Sequence, residues 1–304
     1  MYVVKVPGLN GLGKTKGCEG AGNAVLEALK DIYSNERGVP VDVRLLDLEE
    51  IHLDNSDLIL SNDLIYRNSL ETFGTKPKTV FIGGDHSVSY PLTKAFLDYC
   101  RKEGKEPCLI IFDAHPDCMS TFEEGNGSRP TRDFAREIDE SNLSLPRNRS
   151  PTLAGNGGMT PTHEEWLRAL IEAGFPAGSI FLVGIRNSDP SELAFLKEKG
   201  VKVMSMNQIL ENLDDSADLL LEFTNGKEVY VSIDVDCMDP AFAPATGYQE
   251  PGGLTTRQFL YLLQRVNRAK GLRAFDIVEI NPTLLGGDLT VKLGAKILSE
   301  LRLC

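Results

Sequence analysis

Short apolar runs punctuate the chain at 2–6, 79–82, 109–112, 180–183, 201–204, 229–235 and 274–280, many of them β-branched, and each reads as a buried strand. Between them, 24–32, 91–101, 163–173, 191–199 and 256–269 carry apolar residues at helical spacing, with polar residues on the opposite face. Continuously apolar strands alternating with amphipathic helices predict a mainly parallel sheet covered on both faces. In that architecture ligands gather at the carboxyl ends of the strands, so that is where chemistry is sought. One stretch breaks the rhythm. Residues 122–158 are rich in Gly, Asn, Ser and Pro and poor in apolar residues, and read as an inserted loop serving as a lid, arm or mobile segment.

The chain has 304 residues, 41% hydrophobic and 25% charged, enough apolar material for one α/β domain over 1–304. No linker divides it into two halves. With 32 Lys+Arg against 44 Asp+Glu, the net charge is −12. A phosphate-backbone binder needs a basic face, so nucleic acid is not an expected partner, whereas cations would be concentrated. No stretch approaches the ~20 apolar residues of a membrane span, and the start lacks the pattern of a secretion signal. The six cysteines have no CxxC pairing, which argues against structural zinc and for reduced thiols. These features together predict a cytoplasmic protein that does not contact membranes.

Gly8-Leu-Asn-Gly-Leu-Gly13-Lys14-Thr15 matches a phosphate-binding loop, follows the first strand, and could pair with Asp113 as a magnesium ligand. Such a loop works by converging its amides at the start of a helix. Here Gly17, Gly20 and Gly22 follow at once, each costing a helix about 1 kcal/mol relative to alanine, and the helix is expected only near Ala24. Nucleotide binding is therefore the alternative reading.

The stronger signal lies at four strand ends: Gly83-Gly-Asp85-His86-Ser87, Asp113-Ala-His115-Pro-Asp117, Asp234-Val-Asp236-Cys-Met-Asp239, and Asp276-Ile-Val-Glu279. A lone Asp at such a position usually caps a helix or turn, and a lone His is usually a hydrogen-bonded side chain. Two of only four histidines, however, fall inside these clusters. Residues i and i+2 of a strand share a face, so Asp234 and Asp236 can converge, as can Asp113, His115 and Asp117 if the chain stays extended. Carboxylates mixed with imidazole suit manganese, zinc, nickel or iron(II). Four aspartates and two histidines exceed the needs of one open catalytic ion. They suit two, and cations about 3.5–4 Å apart can turn a shared water into a nucleophile near neutral pH.

These motifs, with Gly184-Ile-Arg186, Ala243-Pro-Ala-Thr-Gly247 and Gly252-Gly-Leu254, resemble the ureohydrolase family of arginases, agmatinases, formimidoylglutamases and guanidino-acid hydrolases. The resemblance implies a three-layer α/β/α fold, a homo-oligomer, and two Mn2+ per chain held by His86, Asp113, His115, Asp117, Asp234 and Asp236. It implies hydrolysis of a small cationic guanidino substrate, arginine or agmatine first, to urea and an amine. His163, Glu279 and Asp236 would be catalytic, Glu279, Asp189 and Tyr248 would contact substrate, and Asp85 and Asp276 would orient ligands.

Some positions depart from the family. Where it places a histidine a little over a dozen residues past the Asp-Ala-His motif, this chain has Arg129-Pro130-Thr131. If 122–158 is an insertion, His163 takes that place and passes a proton to the leaving amine. Asn187 replaces a common acid, and Tyr248 stands where a small hydroxyl residue is usual. The arginines at 129, 132, 136, 147 and 149 are expected to meet solvent, and Cys118 and Cys237 to pack rather than ligate. The altered residues also leave a non-catalytic, metal-binding relative as a further reading.

Overall fold

The computed structural model describes residues 1–11, 13–120 and 160–301; the expected insertion at 122–158 and its arginines lie outside them. The expected strands form, with ends shifted by up to two residues: β1 (Tyr2–Val6), β3 (Thr79–Gly83), β4 (Pro107–Phe112), β5 (Ile180–Ile185), β6 (Lys202–Ser205), β7 (Glu228–Asp234) and β8 (Leu272–Val278). Another strand, β2 (Asp47–Glu50), was not expected, because its Asp-Leu-Glu-Glu sequence is exposed throughout and carries no apolar run. The strands pair in the order β2-β1-β3-β8-β7-β4-β5-β6, every pair parallel.

Alternation along each strand sends side chains to two separate cores. On one face Val80, Ile82, Ile110, Phe112, Val231 and Phe275 pack beneath α1 (Ala21–Leu29), α6 (Met206–Glu211), α7 (Leu213–Phe223), α8 (Thr256–Val266) and α9 (Gly287–Glu300). On the other, Phe81, Leu109, Ile111 and Tyr230 meet α2 (Leu58–Thr75), α3 (Ser89–Glu103), α4 (Trp166–Glu172) and α5 (Pro190–Lys199). The result is the expected three-layer α/β/α arrangement. Helices α2, α6, α7 and α9 went unread in the sequence, and α4 begins at Trp166 rather than at His163. No helix among the described residues is long and apolar enough to cross a membrane.

Four strands adjacent in the sheet, β3, β8, β7 and β4, carry the acidic and imidazole motifs at their carboxyl ends. The loop after β1 is packed onto this rim. A Cβ at Gly84 would lie 2.0 Å from the Gly8 carbonyl oxygen, so only glycine lets these two backbones meet.

Candidate metal centre

The four strand ends converge. His86, in the turn after β3, places Nδ1 2.9 Å from Asp117 Oδ2 and 3.2 Å from both Asp113 Oδ2 and Asp234 Oδ2. His115 places Nδ1 2.9 Å from Asp236 Oδ2 and 3.7 Å from Asp113 Oδ1. Two groups able to hold a cation result, His86/Asp113/Asp234 and Asp113/His115/Asp236, with ligand atoms in each within 4.8 Å of one another. Asp113 belongs to both.

The convergence comes less from extended strands than from turns. Asp234 ends β7 and accepts the Asp236 N–H at 2.8 Å, capping a 3-10 turn over Val235–Cys237 that carries Asp236 back toward it. Asp113 Oδ1 likewise accepts the His115 N–H at 2.7 Å. Asp117 (φ 50°) and Glu279 (φ 64°) are the non-glycine residues with positive φ among those described. Such backbone costs of order 1–3 kcal/mol each and persists only where surrounding contacts enforce it. At Glu279 that contact is the His86 N–H, which donates to Oε1 at 2.9 Å.

The electrostatics fit bound cations. Asp113, Asp117, Asp234 and Asp236 are buried, and their ion pairs among the described residues are with histidines. Burial, then neighbouring Asp117, pushes Asp113 well above the usual carboxylate range; burial and Asp236 push Asp234 up to about 7. Burial, Asp234 and Asp85 likewise push Glu279 up. Burial alone would lower His115, but Asp236 holds it up to about 11; His86 is raised against its burial by Asp113, Asp117 and Asp234. Asp236 falls below its ordinary value because His115 outweighs its own burial. Among the described residues His86 Nδ1 and Asp113 Oδ2 have no hydrogen-bond partner, although carboxylate oxygens crowd that nitrogen. Proximity without hydrogen-bond geometry is what a divalent cation between them would relieve, and the carboxylate–imidazole donor set suits one.

Contacts behind the ligands were mostly invisible in the sequence. His86 Nε2 lies 3.0 Å from Ser232 Oγ, which donates to Asp276 Oδ1 at 2.7 Å; Asp276 also accepts from Tyr230 and Ser89. Asp276 thus reaches His86 through a serine. Asp85 instead braces the loop after β1, accepting from Asn10 N at 2.7 Å and Thr15 Oγ1 at 3.1 Å. That hydroxyl is the one a phosphate-binding loop would present to magnesium, and α1 begins only at Ala21. Cys118 and Cys237 are fully buried, each in one of the two apolar cores.

A cleft of about 40 Å³ opens over the centre, bordered by His86, His115, Asp117, Asp234, Asp236 and Glu279, and by His163, Glu164, Thr246 and Tyr248. His163 is 5% exposed, neither ring nitrogen has a partner among the described residues, and its ring lies 5.0 Å from that of Tyr248. Asp189 is not among the described residues that border this cleft. It is exposed and caps α5, its Oδ1 accepting from Ser191 N at 2.8 Å. The Asp-Pro-Ser-Glu sequence is a capping-box signature, and that local demand accounts for the acid.

A family model described as Arginase family matches residues 2–304. The proclavaminate amidinohydrolase of Streptomyces clavuligerus is 30% identical over 262 residues, 85% of this chain and 72% of that protein. Its solved structure superposes with a TM-score of 0.77 at 26% identity, covering 99% of this chain and 89% of that one. The mitochondrial arginase-2 of Homo sapiens is 27% identical over 226 residues, 72% of this chain but only 57% of its own length. Formimidoylglutamase from Bacillus subtilis shares the fold, with a TM-score of 0.78 at 24% identity, covering 99% and 85% of the two chains.

Proposed function

Because the chain belongs to the arginase family, we propose that it is a two-manganese hydrolase that splits a guanidino compound, with arginine or agmatine the leading substrates, into urea and an amine. One observation carries this reading: two members of each cation-holding group, His86 with Asp234 and His115 with Asp236, border the same cleft as Glu279 and His163. The relatives support it in kind, since one is named for amidino hydrolysis and another for arginine.

His86, Asp113, Asp117 and Asp234 would hold one cation, and Asp113, His115 and Asp236 the other. When bound, such a pair supplies a nucleophile from water near neutral pH and accepts charge that develops on the attacked group. The chain's own residues do the rest. Glu279, fixed by the His86 N–H, offers its carboxylate edge to two guanidinium N–H groups. That bidentate grip orients the electrophilic carbon toward Asp234 and Asp236. Tyr248 walls the cleft beside His163, and His163 delivers the proton that the departing amine requires. A guanidinium entering this site meets carboxylates rather than repulsion.

A single domain over 1–304, a homo-oligomer and a cytoplasmic setting complete the reading; light scattering and fractionation test the last two. The deciding experiment measures urea release from arginine, agmatine, guanidino acids and formimidoylglutamate with added Mn2+. Turnover of one guanidino compound is expected. Two bound manganese ions with no turnover of any would instead establish the non-catalytic relative, and ATP binding without metal would favour the nucleotide reading.

A further inference from the structure

His115 reaches the centre through Nδ1, and a neutral imidazole that offers Nδ1 to a cation must carry its proton on Nε2. Glu250 Oε1 is 3.5 Å from that nitrogen. Glu250 does not border the cleft; it stands behind the imidazole. It is also held there. The Asn187 amide donates to the same Oε1, and Arg186 Nη2 grips the Glu250 carbonyl at 2.6 Å. That same Nη2 binds the Asp236 carbonyl at 2.6 Å, so one guanidinium ties the loop bearing Glu250 to the turn bearing Asp236.

We propose that Glu250 is a positioning residue for His115: its carboxylate accepts a hydrogen bond from the Nε2–H and aims Nδ1 between Asp113 and Asp236. The assignment rests on His115 being a metal ligand. It makes the two histidines differ in support. His86 is braced by a serine backed by a fully buried aspartate, whereas His115 depends on a carboxylate 27% exposed, itself held by Asn187. Asn187, which departs from the acidic residue common at this position, thereby gains a function: an acid there would repel Glu250, whereas an amide donates to it.

Metal-free full-length protein titrated with MnCl2 by calorimetry, with electron paramagnetic resonance to detect a spin-coupled manganese pair, tests this. Wild type is expected to take up two equivalents. Glu250→Ala is expected to weaken one of them about 10–100-fold and to lose the coupled-pair signal at limiting manganese. Glu250→Gln, which keeps an acceptor oxygen, should recover most of that loss, a rescue that a merely structural role would not give. If Glu250→Ala fails to fold, Asn187→Ala should weaken the same equivalent to a smaller degree. Two equivalents bound by Glu250→Ala as tightly as by wild type would overturn the role of Glu250 alone. Fewer than two in the wild type would overturn the two-cation reading beneath it.

Discussion

The Trp166 indole donates to Asp117 Oδ2 at 2.8 Å, and that oxygen also lies 2.9 Å from His86 Nδ1. Trp166 is completely buried, with its ring 4.8 Å from the His86 imidazole, so one side chain both packs against one candidate ligand and holds another. Asp117 has left-handed backbone and needs such a tether. Trp166→Phe keeps most of the packing and removes the donor. It should cost about 1–3 kcal/mol of stability and weaken manganese binding by roughly tenfold or more, read by urea unfolding and calorimetric titration. Unchanged affinity would show that Asp117 needs no tether.

Ser232 relays Asp276 to His86, and its removal can be separated from damage to Asp276. In Ser232→Ala, Asp276 keeps Tyr230 and Ser89 as donors, at 2.8 and 3.0 Å, while His86 Nε2 loses its partner. The fold should survive and manganese retention after dialysis should fall, by an affinity loss of about 10–100-fold. Full retention would mean that the imidazole is oriented by packing against Trp166 alone.

The candidate ligands were legible because the largely apolar runs of β4 and β7 stop at Asp113 and Asp234, and that of β3 at Gly-Gly-Asp-His, breaks visible one residue at a time. The contacts that fix those ligands were not. Trp166 and Asp117 are 49 residues apart and Ser232 and His86 are 146 apart, so only the fold brings them together. The left-handed backbone at Glu279 has no signature in a glutamate. Strand β2 was missed because an exposed edge needs no apolar pattern, whereas the Asp189 sequence carried a capping signal that the helix start at Pro190 follows.

Cation removal should destabilise the whole molecule. The buried carboxylates around Asp113 repel one another, and a cation that binds only the folded state adds RT ln(1 + [L]/Kd), about 2.7 kcal/mol at 100 times Kd. Melting temperature should rise with manganese and fall with chelator in the wild type, and respond little in Asp113→Ala, which lacks the carboxylate common to both groups. Equal responses in the two proteins would place the stabilising ion elsewhere.

Lys78, remote from the centre, should set part of the alkaline stability. Burial, with Arg37 adding repulsion, lowers it to about 7; its Nζ donates to Asn267 Oδ1 at 2.7 Å and to the Leu301 carbonyl at 3.2 Å. The unfolded chain holds this proton up to its ordinary value of 10.5, so between about 7 and 10.5 it binds more protons than the folded one. Stability from this group therefore rises with pH across that window, by at most about 1.4 kcal/mol per unit, and is lost as pH falls to 7. Metal-free Lys78→Met should lack this slope in urea unfolding at pH 7 and 9.5. Parallel slopes in variant and wild type would mean that the ammonium is adequately solvated.

His163 is the site residue whose role the activity measurements decide. Both ring nitrogens are buried without partners among the described residues, an arrangement that costs free energy unless something bound in the cleft completes it. Among the described residues, His163 belongs to neither cation-holding group. His163→Ala should therefore keep its manganese and its fold while losing about 10²–10⁴-fold in kcat, with KM changed far less. His163→Phe, which preserves the ring packing against Tyr248, should be as slow, separating proton delivery from the shape of the wall. Full turnover by either variant would remove His163 from the mechanism and leave the leaving amine to take its proton from solvent or from Glu279.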